Sequence, residues 1–186
     1  MIATNFDLEG AKLLTPRRFA DERGFFSETY NRAQMAEHGI HTEFVQDNHS
    51  KSVNVGTVRG LHYQSPPFAQ AKLVRVVRGA IRDVIVDVRV GSPTFGQHIA
   101  VRLDAETGAQ LYVPAGFLHG FITLEPDTEI TYKVDAYYSA ECDGSVLWND
   151  PALGIDWGDE AAVAVLSDKD RAATRFEDFK SPFSYR

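Results

Sequence analysis

The chain has 186 residues, 44% of them hydrophobic and 24% charged, and this length and composition predict one globular domain, residues 1–186, with a substantial core. No run of about 18 or more uninterrupted apolar residues occurs, which argues against a membrane-spanning helix. The formal net charge of −7 argues against a nucleic-acid-binding protein, because such proteins carry a broad basic surface.

The charge is unevenly spread along the chain. Residues 1–89 carry 12 lysines and arginines against 10 acidic residues, whereas residues 90–186 carry 7 against 16. A local group of cations in an acidic chain suits a small anionic ligand. The single cysteine, Cys142, permits no internal disulfide and is typical of a reducing compartment. Because residues 1–7 lack a basic segment followed by an apolar one, we expect a cytoplasmic protein without a secretory signal.

In chain order, the first predicted element is a short helix at residues 31–38, with Asn31 as its N-cap and a glycine just beyond its end. The next is an extended segment at residues 58–64. Alternate side chains of a strand point to opposite faces, so strict alternation would put Arg59 and His62 on opposite faces.

Strands dominate the rest of the chain. Strands at residues 72–78 and 84–90 are predicted to form a hairpin through Gly79 and Ala80, and the alternating valines of the second predict one apolar face. Many short strands separated by turn residues predict an all-β sandwich or barrel. The remaining predicted elements are strands at residues 97–103, 110–113, 117–124 and 129–137, and a short helix at 168–174 with Ser167 as its cap.

Two histidines in apolar extended segments are the leading catalytic candidates. His62 lies between the cations Arg59 and Lys72 in the chain, so a group that titrates near neutrality would sit beside groups that hold an anion. His119 follows a proline–glycine turn at residues 114–116. Together the two histidines predict a catalytic pocket inside a β-barrel.

Four residues match the second half of the cupin signature: Gly108, Pro114, Gly116 and His119. In metal-binding cupins this histidine joins two histidines and a glutamate from an upstream motif. Here the upstream segment has Tyr63 and Gln64 after His62, which leaves too few ligands for a strong transition-metal site. A cupin barrel is therefore expected, and a bound metal is not.

Eight segments occur in the order in which one known family has them: residues 21–26, 44–52, 59–64, 69–74, 91–96, 114–121, 148–151 and 166–170. On these segments the chain resembles the dTDP-4-dehydrorhamnose 3,5-epimerase family over nearly its whole length. The resemblance implies a cupin-type jelly-roll barrel with a few short peripheral helices, a homodimer, and an isomerase of deoxysugar biosynthesis that needs no cofactor. Its substrate would be dTDP-4-dehydro-6-deoxy-D-glucose and its product dTDP-4-dehydro-L-rhamnose.

The chemistry of such a substrate explains the residue types. The protons at C3 and C5 of a 4-keto sugar are acidic, and inversion needs a base on one face and an acid on the other. The resemblance implies that His62 is the base, Asp170 its orienting carboxylate and Tyr132 the acid. Lys72 would oppose the negative charge that develops on the ketone oxygen.

The resemblance also implies a set of substrate-binding residues. Arginines would meet the diphosphate, aromatic rings would stack on the thymine, and polar groups would complete the contacts. The position of Asp143 more often holds glutamate in the family, so this shorter side chain is a departure. The set is Phe19, Arg23, Phe26, Glu28, Gln46, Asn48, Arg59, His119, Tyr138, Asp143 and Lys169.

Three alternatives remain at this point. An epimerase that acts at C3 or C5 alone would keep the same base and tyrosine. A cupin that binds a sugar nucleotide without turning it over would keep Arg23 and Arg59, but it would not need His62, Asp170 and Tyr132 together. A metal-dependent cupin is disfavoured by the missing ligands.

Overall fold

The computed structural model describes residues 1–185. Short strands dominate it, and helices are few and peripheral, so the all-β expectation is confirmed. The strands are β1 (Ile2–Asn5), β2 (Lys12–Thr15), β3 (Arg18–Asp21), β4 (Gly24–Ser27), β5 (Gln46–Ser52), β6 (Val58–Gln64), β7 (Lys72–Arg78), β8 (Ala80–Asp87), β9 (His98–Asp104), β10 (Gln110–Val113), β11 (Phe117–Thr123), β12 (Thr128–Val134) and β13 (Asp143–Ser145). The helices are α1 (Arg32–Glu37), α2 (Asp168–Arg171) and two 3₁₀ helices, Asp159–Val163 and Phe176–Asp178.

The strands form two main antiparallel sheets and one separate hairpin. The six-stranded sheet has the order β1-β2-β10-β7-β12-β5, and the five-stranded sheet has the order β13-β6-β11-β8-β9. Strands β3 and β4 pair only with each other in the part of the chain that the structure describes. Sequence neighbours β7 and β8 lie in different sheets, so the chain crosses repeatedly from one sheet to the other, as in a jelly roll.

Three apolar clusters hold these layers together. The first fills the space between the two sheets and includes Val74, Ile85 and Leu111. The second lies on the outer face of the five-stranded sheet, where the C-terminal tail covers it with Trp148 and Trp157. The third lies under α1, on the outer face of the six-stranded sheet. Because both faces of the sheets are covered, the end of the barrel is left as the place for a ligand.

The predicted helix at residues 31–38 is confirmed as α1. The side chain of Asn31 accepts hydrogen bonds from the backbone N–H groups of Ala33 and Gln34, which the first turn of a helix cannot satisfy internally. The predicted hairpin through Gly79 and Ala80 is wrong, because β7 pairs with β10 and β12 while β8 pairs with β9 and β11.

Gly79 explains why two adjacent strands do not pair. Its φ is +76°, and a Cβ at this position would lie 2.4 Å from the side-chain oxygen of Thr128. The glycine therefore turns the chain sharply from one sheet to the other, where no side chain would fit. A glycine between two apolar runs is compatible with either a hairpin or such a crossover.

The boundaries of three predicted elements shift. The strand expected at 84–90 is β8, which begins earlier, ends at Asp87, and is buried on both faces because the tail covers its outer side. The strand expected at 129–137 is β12, which ends at Val134. The helix expected at 168–174 is α2, a single turn capped by Ser167.

No helix in the described part of the chain is both long enough and apolar enough to cross a membrane.

Candidate active site

A cavity of about 420 Å³ opens between the two sheets at one end of the barrel. Strands of both sheets contribute to its wall, and the segment that leads into α2 closes one side. Six of the predicted site residues line it: Arg59, His62, Lys72, His119, Tyr132 and Asp170. Side chains that the sequence did not single out for catalysis, among them Ser50, Phe121 and Ser167, complete the wall.

His62 and Asp170 form the closest polar pair in the cavity. Nε2 of His62 lies 2.5 Å from Oδ1 of Asp170, although the two residues are 108 positions apart. Asp170 is 3% exposed, and the Ser167 hydroxyl donates to its other oxygen at 2.9 Å. Burial raises the pKa of Asp170, but the hydrogen bonds from His62, Ser167 and the Gly60 backbone outweigh it and hold that pKa below its ordinary value.

This pairing decides which imidazole nitrogen can act as a base. An ionised carboxylate only accepts hydrogen bonds, so Nε2 of His62 carries a proton and donates it to Asp170. The lone pair of a neutral imidazole is then on Nδ1. The contact thus fixes the tautomer and leaves Nδ1 of His62 available to take a proton.

The predicted alternation along β6 is wrong at one point, because Arg59 and His62 line the same cavity. The pairing of β6 with β11 shifts register between His119 and Phe121, which is an irregularity of the β-bulge type. Gly60, at φ +124°, lies so close to β11 that a Cβ would be 2.6 Å from the Cα of Gly120. A bulge changes the direction of the side chains beside it, and here it directs both Arg59 and His62 into the cavity.

Tyr132 stands on the opposite sheet from His62. It lies on β12 of the six-stranded sheet, paired with Val74 and Asn48, whereas His62 is on β6 of the five-stranded sheet. Burial raises the pKa of the Tyr132 phenol, and the nearby Arg59 only partly opposes this. Its hydroxyl is therefore protonated at neutral pH and faces a ligand from the side opposite to the histidine.

Lys72 projects from β7 into the same space. Its Nζ donates to Oε1 of Gln70 at 2.9 Å. Burial lowers the pKa of the Lys72 ammonium to about 8, and the charges of Asp135 and Asp143 offset this only in part. A lysine with this pKa is mostly charged at pH 7 and loses its charge as the pH rises through about 8.

His119 belongs to a second histidine–aspartate pair that the sequence did not reveal. It lies directly opposite His62 in the β6–β11 register, and its Nε2 is 2.6 Å from Oδ1 of Asp83. Asp83 is 0% exposed, and its Oδ2 has no hydrogen-bond partner among the described residues. The only signal in the sequence was an acidic residue inside a strongly apolar strand.

A second, more polar hollow adjoins the cavity and shares His62, Lys72 and Tyr132 with it. Five of the predicted binding residues line it: Gln46, Asn48, Tyr138, Asp143 and Lys169. Within it, Gln46 donates to Asn48 at 2.8 Å, and Asp143 accepts from both the Tyr138 hydroxyl and the Lys169 ammonium. The shorter aspartate at position 143 therefore still reaches both neighbours.

Four predicted binding residues do not line either space in the described chain: Phe19, Arg23, Phe26 and Glu28. Phe19 and Phe26 pair across the β3–β4 hairpin and are 49% and 69% exposed. Arg23 bonds its neighbour Asp21 at the tip, and Glu28 accepts from Gln34. Within one chain, then, the hairpin presents aromatic rings and a cation to the outside of the barrel.

Residues 1–185 contain no group of three or more His, Cys, Asp or Glu side chains arranged to hold a metal ion. The chemistry that the cavity offers from its own side chains is acid–base chemistry. His62 can supply a basic nitrogen and Tyr132 an acidic hydroxyl from opposite sheets, with the Lys72 ammonium as a hydrogen-bond donor in the same space.

A family model described as dTDP-4-dehydrorhamnose 3,5-epimerase matches residues 5–178. A protein of that name from Sinorhizobium fredii is 49% identical over 185 residues, covering 100% of this chain and 94% of the relative. The crystal structure of the Bacillus anthracis protein of that name, with TDP and PPi bound, has a TM-score of 0.91 at 50% identity and covers 94% of this chain and 99% of its own. An epimerase from Legionella pneumophila in complex with dTDP-4-keto-L-rhamnose has a TM-score of 0.93 at 40% identity, with coverages of 100% and 98%.

Proposed function

The chain belongs to the dTDP-4-dehydrorhamnose 3,5-epimerase family and is an isomerase with that family's cupin-type jelly-roll fold, and we propose that His62 and Tyr132 carry its reaction as base and acid. The reaction converts dTDP-4-dehydro-6-deoxy-D-glucose to dTDP-4-dehydro-L-rhamnose by inverting C3 and C5. We further propose that residues 1–186 form one domain, which carries every side chain that this chain contributes to the reaction.

In the first step, Nδ1 of His62 takes the proton from the carbon next to the ketone. The electron pair of the broken C–H bond forms a double bond to the carbonyl carbon, and the π electrons of the C=O bond move onto the oxygen, which gives an enolate. The Lys72 ammonium stabilises this negative charge, which is where electrostatic stabilisation has most effect on the rate. Asp170 stabilises the imidazolium that forms.

In the second step, the Tyr132 hydroxyl gives its proton to the same carbon from the opposite face. The enolate electrons form the new C–H bond, the ketone returns, and the phenolate regains a proton from solvent. His62 loses the abstracted proton to solvent as well. Repetition at the other carbon completes the product, and no electron leaves the substrate, so the proposed mechanism needs no cofactor.

The observation that carries this proposal is the His62–Asp170 pair facing Tyr132 across one cavity. The test is incubation with dTDP-4-dehydro-6-deoxy-D-glucose in deuterated water, with C3 and C5 followed by NMR. We expect deuterium at both carbons together with the inverted product. Exchange at one carbon would identify a single-centre epimerase, and exchange at neither would leave a cupin that only binds the sugar nucleotide.

Lys72 predicts an alkaline limit to the activity. Because burial lowers its pKa to about 8, the ammonium that stabilises the enolate is present below pH 8 and is lost above it. We expect kcat/KM to fall on the alkaline side of a midpoint near this pH. Lys72→Met should reduce kcat about 100-fold and remove this limb, whereas Lys72→Arg should move it to higher pH. A pH–rate profile with an unchanged alkaline limb in Lys72→Arg would contradict the assignment.

We propose that the active form is a homodimer in which the β3–β4 hairpin of one chain reaches the site of the other. The proposal rests on the hairpin's exposed rings and on its separation from the cavity of its own chain. Light scattering at micromolar concentration should give twice the 20.7 kDa of one chain. Because a hydrogen bond between charged groups contributes about 1.5 kcal/mol or more, Arg23→Ala should raise KM about tenfold without changing the mass. A monomeric mass with full activity would refute the arrangement.

We also propose a cytoplasmic location, where reducing conditions keep the free thiol of Cys142 intact.

A further inference from the structure

Four consecutive residues beside the site have a backbone group bonded to a glutamine side chain. Three glutamines take part, and they come from three different parts of the barrel: β5, β6 and the segment before β7. The bonds run from Gln70 Nε2 to the Ala136 oxygen (2.8 Å), from Gln64 Nε2 to the Tyr137 oxygen (3.2 Å), from the Tyr138 nitrogen to Gln46 Oε1 (3.2 Å), and from the Ser139 nitrogen to Gln64 Oε1 (2.8 Å).

This arrangement replaces secondary structure. Residues 136–139 follow the end of β12 and belong to no helix or strand, so their backbone groups would ordinarily bond to water. The side chains of Tyr137 and Tyr138 are 64% and 62% exposed. The backbone of the segment is therefore fixed by glutamine side chains, while Tyr137 and Tyr138 stay largely exposed.

Gln64 is the central member of the group. It is 4% exposed and its amide also donates to the Phe68 oxygen at 2.7 Å, so every hydrogen bond of its side chain goes to a backbone group. It lies on β6 two residues after His62, and its Cα pairs with Asp143 of β13. Asp143 in turn accepts from the Tyr138 hydroxyl at 3.2 Å.

We propose that Gln64 is a positioning residue that fixes Tyr138 and the wall of the polar hollow relative to the strand that carries the base. The inference rests on the proposed function, because it assigns this hollow to the part of the substrate beyond the sugar. A sugar held between His62 and Tyr132 lies where the cavity and the hollow meet, because both residues line both spaces. The wall of the hollow then binds part of the substrate beyond the sugar, and its position affects binding more than proton transfer.

The hydrogen bonds of Gln64 allow an effect on substrate binding to be distinguished from an effect on proton transfer. Neither His62, Asp170 nor Tyr132 bonds to it among the described contacts. Removing its amide leaves the Phe68, Tyr137 and Ser139 backbone groups without their partner, so the segment shifts toward water. The base and acid keep their positions. An interaction that contributes equally to ground-state and transition-state binding changes KM and leaves kcat.

The experiment compares Gln64→Met, which has similar length but no hydrogen bonds, with Gln64→Glu, which retains only the acceptor for Ser139. For each variant, kcat and KM are measured by NMR, and the Kd for dTDP alone is measured by calorimetry. We expect KM and Kd to rise about tenfold in Gln64→Met and at least as much in Gln64→Glu, whose carboxylate would face the Phe68 and Tyr137 carbonyl oxygens, with kcat within about threefold of the unmodified protein. If Gln64→Met does not fold, Gln64→Glu carries the same test.

A matched control is Thr128→Val, at the opposite end of β12. It removes another buried side-chain bond to a loop carbonyl, that of Glu125 at 2.8 Å, and should lower the melting temperature without changing KM or Kd. Unchanged KM and Kd in both Gln64 variants would overturn the positioning role, as would a fall in kcat with KM constant. If the unmodified protein incorporated no deuterium at C3 or C5, the proposed function would be refuted instead. The role of Gln64 could still be tested in that case, because the Kd for dTDP is measured without turnover.

Discussion

Replacing His62 by alanine will lower kcat for epimerisation by about 10³-fold or more, because general-base catalysis by a positioned side chain contributes about 10² to 10⁴-fold. The imidazole is the group whose Nδ1 can take the substrate proton, and its Nε2 is held by Asp170 at 2.5 Å. Deuterium incorporation at both C3 and C5 should be lost together, since the proposed mechanism uses His62 as the base at both carbons. NMR in deuterated water measures product and exchange in the same sample.

The isosteric variant Asp170→Asn tests the orienting role separately. An amide at this position can offer its NH₂ to Nε2, which favours the tautomer with the proton on Nδ1 and removes the lone pair that the reaction needs. We expect kcat to fall about 100-fold while KM changes little.

His98→Ala is a suitable control for both variants, because His98 lies on β9 at the far edge of the five-stranded sheet. It should retain normal activity. A His62→Ala variant that still exchanges both protons at the original rate would show that another group is the base. The second histidine, His119, would then be the first to examine, because it lies opposite His62 in the register.

Local patterns in the sequence predicted the helices and strands better than they predicted which strands pair. The helix α1 could be predicted from Asn31, which satisfies N–H groups within its own first turn, and β10 could be predicted from its apolar run. Pairing depends on residues far apart in the chain. Gly79 separates two strands that join different sheets, and what decides this is the close approach of Thr128, about fifty positions later.

The candidate site shows the same limit. His62, Tyr132 and Lys72 could be predicted from the resemblance, and the structure brings them to one cavity. The resemblance also assigned Arg59 to the site, whereas strict strand alternation placed it on the face opposite to His62, because its inward position depends on a bulge against β11. Asp83 could not be recognised, since its role is visible only once His119 lies beside it. Each missed feature is a contact between strands rather than a property of one segment.

Neither the sequence patterns nor the resemblance predicted that the β3–β4 hairpin lies away from the cavity of its own chain. Its residues match the family segments, yet within one chain Phe19 and Phe26 face outward. Exposed aromatic rings on a two-stranded ribbon gain stability from packing against another surface. The proposed dimer supplies that surface and places these residues where the resemblance assigns them.

Tyr132→Phe should separate proton removal from inversion. Without its hydroxyl, the enolate can still be protonated by the imidazolium of His62, but only from the face that lost the proton. In deuterated water the substrate should therefore acquire deuterium with its configuration retained, while formation of the inverted product falls about 100-fold or more. NMR distinguishes the two outcomes, because the retained and inverted sugars differ in their couplings.

Tyr112→Phe is the matched control for this variant. Burial raises the pKa of Tyr112 as it does that of Tyr132. Unlike Tyr132, however, Tyr112 packs on the outer face of the six-stranded sheet, where its hydroxyl lies 2.7 Å from that of Thr42. Its loss should affect stability and not the product. If Tyr132→Phe still inverted both carbons at the normal rate, the acid would have to be another group. If it lost exchange as well, Tyr132 would be needed for proton removal, and the division of labour between the two sheets would be wrong.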